Sequence, residues 1–443
     1  MARTARSRRR TLPVALLGAV GLAAAACGGG AGASAASSTS GGDETTGPPV
    51  PAQAPGPTES TPPAQQAVVG ADRHLATELY RELAAGEDGN LFFSPHSIAL
   101  ALSMVEPGAA GATADQLRAL LCITTDSSSW HDTRHHLDQQ VNNPEAGPAG
   151  FEALRLGIAN GAFGQAGFPI EAAYLDRLAQ SYGAALEPLD FVADPEAGRA
   201  AVNAWVAERT EDHITDLLPE GSVTDLTRLV LANAVFFSGN WLTSFDEART
   251  APAAFTARDG STVQADTMHG SVRTDYVAGE GWAAVRLPYA GGYSMRVVVP
   301  DEGRFADVEA RIGDVLGTVR HQRGDHQVEL SLPKFAFAAE ADLVPALQRL
   351  GLVDVFDPEL ADLSGIVVGP AGEDLHVSGA FHQATVAVDE EGTVATAATG
   401  LVVGATSMPP PATLDVDRAF LVAIEQDSTG ELLFLGRVLD PTA

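Results

Sequence analysis

Three groups of residues carry side chains of the kind that catalysis or metal binding uses. In WHDTRHHLD, His131 and His135 stand one helical turn apart, a spacing at which two imidazoles can share a metal ion. No acidic or cysteine ligand set accompanies them, so the expected setting is a solvated helix face and no metal. Glu211/Asp212 and Asp389/Glu390/Glu391 offer carboxylates for acid–base chemistry. Adjacent carboxylates are ordinarily solvated, and nothing in their spacing fixes the separation that proton transfer needs. The chain has no Gly-x-Ser-x-Gly elbow, no His-Glu-x-x-His, no phosphate loop and no dinucleotide fingerprint. The residues argue for no enzyme and no cofactor.

A different kind of signal lies just after those carboxylates. In VDEEGTVATAATG, Val388–Gly400, two glutamates and a glycine lead into residues with no charge and no bulk beyond valine. As a strand, Thr393, Ala395, Ala397 and Thr399 face one way and Val394, Thr396 and Ala398 the other. A charged side chain on such a strand would resist burial. Small uncharged ones slip between existing strands without that penalty. Alanine and glycine are nonetheless poor strand formers, so the segment need not order early. The composition suits a segment exposed first and buried later. It equally suits a flexible linker, and composition alone favours the linker.

The elements around it are those of one large α+β domain. HLATELYRELAAG has helical spacing through Leu75, Leu79 and Leu83 and stops at Gly86. Ser94 and Pro95 read as a helix cap and first-turn proline. Thr113-Ala-Asp-Gln116 fits a capping box for the next helix. FPIEAAYLDRLAQSYG and GRAAVNAWVAERTEDHITDLL read as two more helices. LVLANAVFF and YSMRVVVP are near-continuous apolar runs, as in strands covered on both faces. VELSLPKFAF alternates, and DRAFLVAIEQ and ELLFLGRVL flank the hairpin signature Asp427-Ser-Thr-Gly430.

The 443 residues carry a formal net charge of −30, with Lys334 the single lysine. That balance argues against nucleic acid and anionic membrane surfaces as partners. No basic run lies beyond Arg10, which disfavours a heparin-type polyanion. Residues 1–27 read as an export signal: a basic start, then an apolar run, Val14–Ala26, too short to span a bilayer. Cys27 follows four alanines and precedes three glycines, which resembles a bacterial lipoprotein signal in which the cysteine is lipidated. Cleavage after Ala24–Ala26 with free secretion is the alternative. With Cys27 lipidated, Cys122 has no partner and is expected as a buried thiol. Residues 28–70, almost wholly Gly, Ala, Ser, Thr and Pro, are expected to be a disordered tether, and 71–443 the folded domain.

VDEEGTVATAAT resembles the hinge of the serpin reactive loop, and the resemblance extends over nearly all of 71–443. NLFFSPHSIALALSMVEPGAAGAT, LVLANAVFFSGNW, VRLPYAGGYSMRVVVP, LSLPKF, ADLSGI, LHVSGAFHQATVAVDEEGT and AFLVAIEQDSTGELLFLGRVLDP follow in family order. Many motifs in one order are far more specific than any one of them.

The resemblance implies a serpin fold, α+β, with three β-sheets, eight or nine helices and an exposed reactive loop near the C-terminus. It implies a suicide substrate: a target serine protease cuts the loop, is held as an acyl-enzyme, and is distorted when the loop inserts into the central sheet. A cysteine protease also fits, and a non-inhibitory member, serving as a substrate or binding module, is the alternative. Carried over by motif, Glu390, Gly392 and Thr393 start the hinge, and Ala395, Thr396, Ala397 and Ala398 continue it. Ser94, Ser97, Asn233 and His382, with Trp241, form the set where the sheet opens, Trp241 and Glu390 lying near where the loop first enters. Hinge-to-cleavage spacing places the scissile bond at Thr406–Ser407, with Val402 or Val403 as alternatives. No Lys or Arg lies between Glu391 and Arg418, so the bait LVVGAT suits an elastase-like or subtilisin-like pocket. Val394 stands where the family often has an acid, and Gln383 where it often has lysine. The protein is expected to be a monomer, bound to a membrane only through a lipid anchor.

Overall fold

The computed structural model describes residues 62–148, 151, 154–183, 186–322, 324–367, 375–393 and 409–443. Cys27, Ala395–Ala398 and Thr406–Ser407 lie outside these, as does the tether up to residue 61. Helix α1 spans Pro62–Gly86, so order begins nine residues before the expected Ala71. The tether boundary at residue 70 is corrected accordingly. Two prolines open the helix, where their missing N–H groups cost nothing, and Val68 and Val69 are buried in the core.

Helix α2 (Pro95–Val105) is capped as expected: the Ser94 hydroxyl accepts from the Ser97 N–H at 3.2 Å, and Pro95 is the first helical residue. It is buried almost all round, the mark of a helix inside the molecule. Helix α3 (Gly111–Leu120) corrects the capping box. The helix starts before Thr113, whose hydroxyl accepts from Asp362 N–H at 3.0 Å. Gln116 Oε1 instead accepts from the Val353 and Asp354 N–H groups at 2.9 Å each. Helix α4 (Ser127–Val141) carries His131 and His135, and helix α5 (Ala172–Tyr182) ends on the left-handed Gly183. Helix α6 (Pro195–Arg209) stops before the expected Leu218, because Glu211 and Asp212 take positive φ angles of 50° and 61°. Shorter helices α7 (Phe305–Glu309), α8 (Ile312–His321) and α9 (Val344–Arg349) complete nine α-helices among the described residues.

His131 is not on a solvated face. It is buried, with Nε2 2.7 Å from Glu106 and Nδ1 against the Tyr182 hydroxyl. Cys122 is half-buried and free among the described residues, at φ 51° just after α3. No described helix is long and apolar enough to cross a membrane.

Six strands make the central sheet: β2 (Arg155–Gln165), β3 (Leu186–Leu189), β4 (Leu229–Asn240), β10 (Phe335–Asp342), β11 (Ala380–Val388) and β12 (Gly392–Thr393), in the order β10-β11-β12-β4-β2-β3. All of β4 is buried, which explains its continuous apolar run. Strand β6 (Thr262–Gly279) joins the other two sheets. Its first part pairs with β5 (Ala251–Thr256), and its middle half with β9 (Asp325–Pro333), which also pairs β13 (Pro411–Asp415). Its end pairs with β7 (Trp282–Pro288), followed by β8 (Tyr293–Pro300), β14 (Phe420–Gln426), β15 (Leu432–Val438) and β1 (Leu91–Phe93). The β14–β15 hairpin turns at Gly430, φ 75°, with Gly430 N–H donating to Gln426 C=O at 2.8 Å. The expected α+β architecture of three sheets is what the chain forms. Helix α2 lies behind the central sheet and packs on β4, β2 and β15.

Candidate functional site

The site is the seam between β4 and β11. At its lower end the two strands pair directly and in parallel, from Ala380↔Leu231 to Ala384↔Val235. At its upper end they part, and β12 stands between them. Gly392 and Thr393 pair antiparallel with Asn240 and Gly239 on one side, and Thr393 with Val388 on the other. The chain leaves β11, makes a tight turn at Asp389–Glu391 and starts back down the seam. The Asp389 carboxylate holds that turn by accepting from the Glu391 and Gly392 N–H groups at 3.0 and 3.1 Å. Gly392 is required by space: a Cβ there would stand 2.1 Å from Gly239 O.

The lower end is locked by uncharged polar groups. Ser94 and Ser97 come from the start of α2, Asn233 from β4 and His382 from β11. Ser94 N–H donates to His382 Nε2 at 3.0 Å. Nε2 is therefore the bare nitrogen, and Nδ1 carries the proton it gives to Asn233 Oδ1 at 2.7 Å. The Asn233 amide donates to Ser97 C=O at 2.7 Å and to Asn160 Oδ1 at 2.6 Å, and Ser97 Oγ donates to Asn160 at 3.2 Å. Burial alone pushes His382 down to about 3, so it stays neutral. A proton on Nε2 would face the Ser94 N–H, donor against donor.

The upper end is built differently. Trp241 is buried and lies flat on Tyr289, ring centres 4.4 Å apart. Its indole N–H donates to Asp389 C=O at 3.0 Å and its backbone N–H to Glu391 C=O at 2.8 Å. Tyr289 OH meets Thr393 Oγ1 at 2.6 Å, and burial raises that phenol well above its usual range. Glu390 accepts from Thr250 Oγ1 at 2.6 Å and Lys334 Nζ at 2.7 Å. Burial raises the Glu390 carboxyl, but these two donors outweigh it and hold it below the usual range. The same bond raises Lys334.

The structure thus brings Ser94, Ser97, Asn233 and His382 into one network. Trp241 stands apart from that network, at the far end of β4 with Glu390, Gly392 and Thr393. Sequence reasoning missed Asn160, Tyr289, Thr250 and Lys334. Asn160 had a legible signal, a lone amide in the strand RLGIANGAFG. Thr250 and Lys334 gave none, since they reach Glu390 from distant elements. No nucleophile–base pair lines the seam among the described residues. The seam holds two residues, Gly392 and Thr393, between its strands at the upper end and is closed by direct pairing at the lower.

The model of one protein family, described as Serpin (serine protease inhibitor), matches residues 71–441. Human antithrombin-III is 35% identical over 379 residues, covering 84% of this chain and 81% of the relative. A serpin-like protein of the archaeon Methanosarcina acetivorans is 30% identical over 384 residues, covering 84% and 88%. Among solved structures, an Arabidopsis serpin in its native stressed conformation superposes with a TM-score of 0.75 at 28% identity, covering 86% of this chain and 99% of that one.

Proposed function

The chain belongs to the serpin family of serine protease inhibitors, and from that premise we propose that it traps a serine protease irreversibly by inserting its own cleaved loop into the seam. The observation that carries this is β12: Gly392 and Thr393 are already hydrogen-bonded between β4 and β11, running antiparallel to both.

Extending that register gives the path. Gly392↔Asn240 and Thr393↔Gly239 mean that each step along the loop moves one step back along β4. Six steps on, Thr399 falls opposite Asn233. The pairing Val388↔Thr393 carries Thr399 opposite His382 by the same count. Insertion must therefore break the His382–Asn233 bond, and it delivers a hydroxyl to that place. Thr393 points into the core, so Ala395, Ala397 and Thr399 follow it inward while Val394, Thr396 and Ala398 face out. Val403 falls opposite Leu229, the first residue of β4. A loop cut after Thr406 is then long enough to fill the whole strand, with Ala405 and Thr406 close to the end.

In the proposed reaction the protease serine attacks the Thr406 carbonyl, the bond to Ser407 breaks and the Ser407 amine takes a proton as it leaves. Thr406 stays esterified to the protease. Insertion carries that ester the length of the sheet before water hydrolyses it. The native state must be a kinetic trap for this order of events. The uncharged bait Leu401–Thr406 favours elastase-like or subtilisin-like pockets, and a cysteine protease with a similar pocket remains a second target class. We further propose export through residues 1–27 and a lipid anchor at Cys27. Cys27→Ala should move the protein from the membrane fraction to the medium, and an unchanged distribution would remove the anchor.

The test mixes the protein with an elastase-like and a subtilisin-like protease on a denaturing gel, with mass spectrometry of the released peptide. A denaturant-stable adduct and a peptide beginning at Ser407 are expected. Cleavage without an adduct, followed by no rise in the melting temperature of the cut protein, would overturn the reading in favour of a non-inhibitory member.

A further inference from the structure

Away from the seam, the core holds a second polar cluster that the insertion mechanism does not use. Asp72 comes from α1, His96 from α2, Arg134 and Asp138 from α4, and Glu431 from the turn before β15. Asp72, His96, Arg134 and Glu431 are fully or almost fully buried, and Asp138 is partly exposed. His96 Nδ1 is 3.0 Å from Glu431 Oε1, and its Nε2 is 3.4 Å from Asp138 Oδ1. Arg134 grips both oxygens of Asp72. Asp72, His96 and Glu431 present oxygen or nitrogen atoms within 4.8 Å of one another.

With both imidazole nitrogens facing carboxylates, a neutral His96 satisfies only one of them. An imidazolium makes the Glu431 hydrogen bond and pairs its charge with Asp138 at 3.4 Å, where Nε2 has no hydrogen-bond partner among the described residues. The charge balance points the same way. A neutral His96 leaves Arg134 as the only cation facing the buried Asp72 and Glu431 and the partly exposed Asp138, although burial and Glu431 carry Asp72 itself up to about 8. A metal ion fits worse than a proton. Arg134 already occupies both oxygens of Asp72, and a divalent ion beside a buried guanidinium is repelled.

We propose that His96 is a buried imidazolium pin that fastens helix α1 and the β14–β15 turn to α2 and α4, and that removing its proton loosens this attachment. Other contacts converge on the same place. Arg73 of α1 donates to Gly430 C=O at 2.9 Å and pairs with Glu425 at 3.3 Å, and Arg296 of β8 pairs with Glu425 from the other side at 2.6 Å. Arg320 of α8 donates to Thr429 C=O at 2.9 Å. Tyr182 of α5 faces Arg134. Burial pushes His96 down, but Asp138 and Glu431 outweigh it and carry it up to about 9. Burial raises Asp72, Arg134 opposes that shift, and Glu431 adds to it.

The sign follows from linkage. The folded state holds the His96 proton more tightly than the unfolded state does. The stabilisation is complete below about 6.5 and is lost as pH rises through about 9.

The experiment is a histidine-labelled NMR titration of the whole protein, with His96 assigned by its loss in His96→Gln, alongside thermal midpoints at pH 6.5, 8 and 9.5. His96 should be an imidazolium at pH 7.5 and titrate near 9, and the midpoint should fall by several degrees across the series. In Glu431→Gln, His96 should titrate below 7.5 and the alkaline fall should shrink. A neutral His96 at pH 7.5 in the wild-type protein overturns the proposal even where Glu431→Gln does not fold. So does one equivalent of zinc that raises the wild-type midpoint, abolishes the His96 titration and has no effect on Glu431→Gln, since the cluster would then be a metal site.

Discussion

The two ends of the β4–β11 seam are made of different chemistry. The lower end is closed by neutral groups: His382, Asn233, Asn160 and two serines. The upper end is already parted and is held by an ion pair, a stacked pair of aromatic rings and two seated residues of the loop. The difference teaches where work must be done. Neutral hydrogen bonds exchange partners without exposing charge, so a strand carrying a threonine can replace them at little net cost. A charged lock at the lower end would have to be desolvated or dragged through the core. The charged contact is confined to the upper end, where Lys334 is 38% exposed and water helps.

The largest effect that breaks this comparison comes from putting a charge on the loop itself. Thr393 is 1% exposed with its hydroxyl on Tyr289. Thr393→Arg must bury a guanidinium where the slot offers a phenol, so the loop cannot seat. The denaturant-stable adduct should vanish and cleaved protein should take its place, a change of more than about tenfold in the inhibitor consumed per protease. Undiminished adduct on the gel would mean that the proposed register is wrong or that insertion is not the mechanism.

Next in size is the lower lock. Asn233→Ala removes the acceptor of His382 Nδ1–H and the donor to Ser97 C=O, both buried, and the donor to the half-buried Asn160. Orphaned buried groups cost about 1–3 kcal/mol each, so native stability should drop by about 2–4 kcal/mol in denaturant melts. Insertion into cleaved protein should be impaired less, because in the proposed register the inserted strand would separate Asn233 from His382 anyway. An equal loss in both forms would contradict the register that brings Thr399 between them.

The pH dependence sharpens the contrast between His382, which accepts from the Ser94 N–H, and His96, which lies two residues further along, in α2, both buried. His382 sees only neutral partners and is pushed down to about 3, while His96 sees carboxylates and is carried up to about 9. For His382 the unfolded state binds the proton first as pH falls below about 6.5, so stability falls from there toward about 3. The slope it contributes is at most about 1.4 kcal/mol per pH unit. It should be visible between pH 6.5 and 5, above most carboxylate titrations, and absent in His382→Gln. A slope unchanged by that substitution would assign it to another group.

The sequence made much of this legible and hid the rest for physical reasons. Caps and strands that depend on local pattern, such as Ser94–Pro95 and the continuous apolar run of β4, were readable from their own residues. The start of α1 was hidden because PPAQQ continues the low-complexity stretch before it, although Val68 and Val69 already departed from that composition. His131 looked solvated because the groups that bury it, Glu106 and Tyr182, are far away in sequence. The seam itself was legible only through family motifs. No periodicity shows that the Gly239 carbonyl leaves no room for a side chain at Gly392, or that Asp389 will turn the chain back between two strands.

The smallest expected effect tests whether the ion pair at the upper end matters at all. Lys334 and Glu390 are bonded at 2.7 Å, but the lysine is more than a third exposed, so solvent screens much of the attraction. Glu390 also keeps its bond from Thr250, and its backbone C=O still accepts from Phe245 N–H at 2.8 Å. Lys334→Ala should therefore cost no more than about 1 kcal/mol in a denaturant melt, and less in high salt, where the wild-type pair is itself weakened. The seated residues Gly392 and Thr393 are held mainly by backbone pairing and by the Tyr289 hydroxyl, which the substitution leaves in place. A loss of several kcal/mol, or spontaneous insertion of the uncut loop, would mean that this one lysine, rather than the neutral lock at the other end, keeps the seam from closing on its own loop.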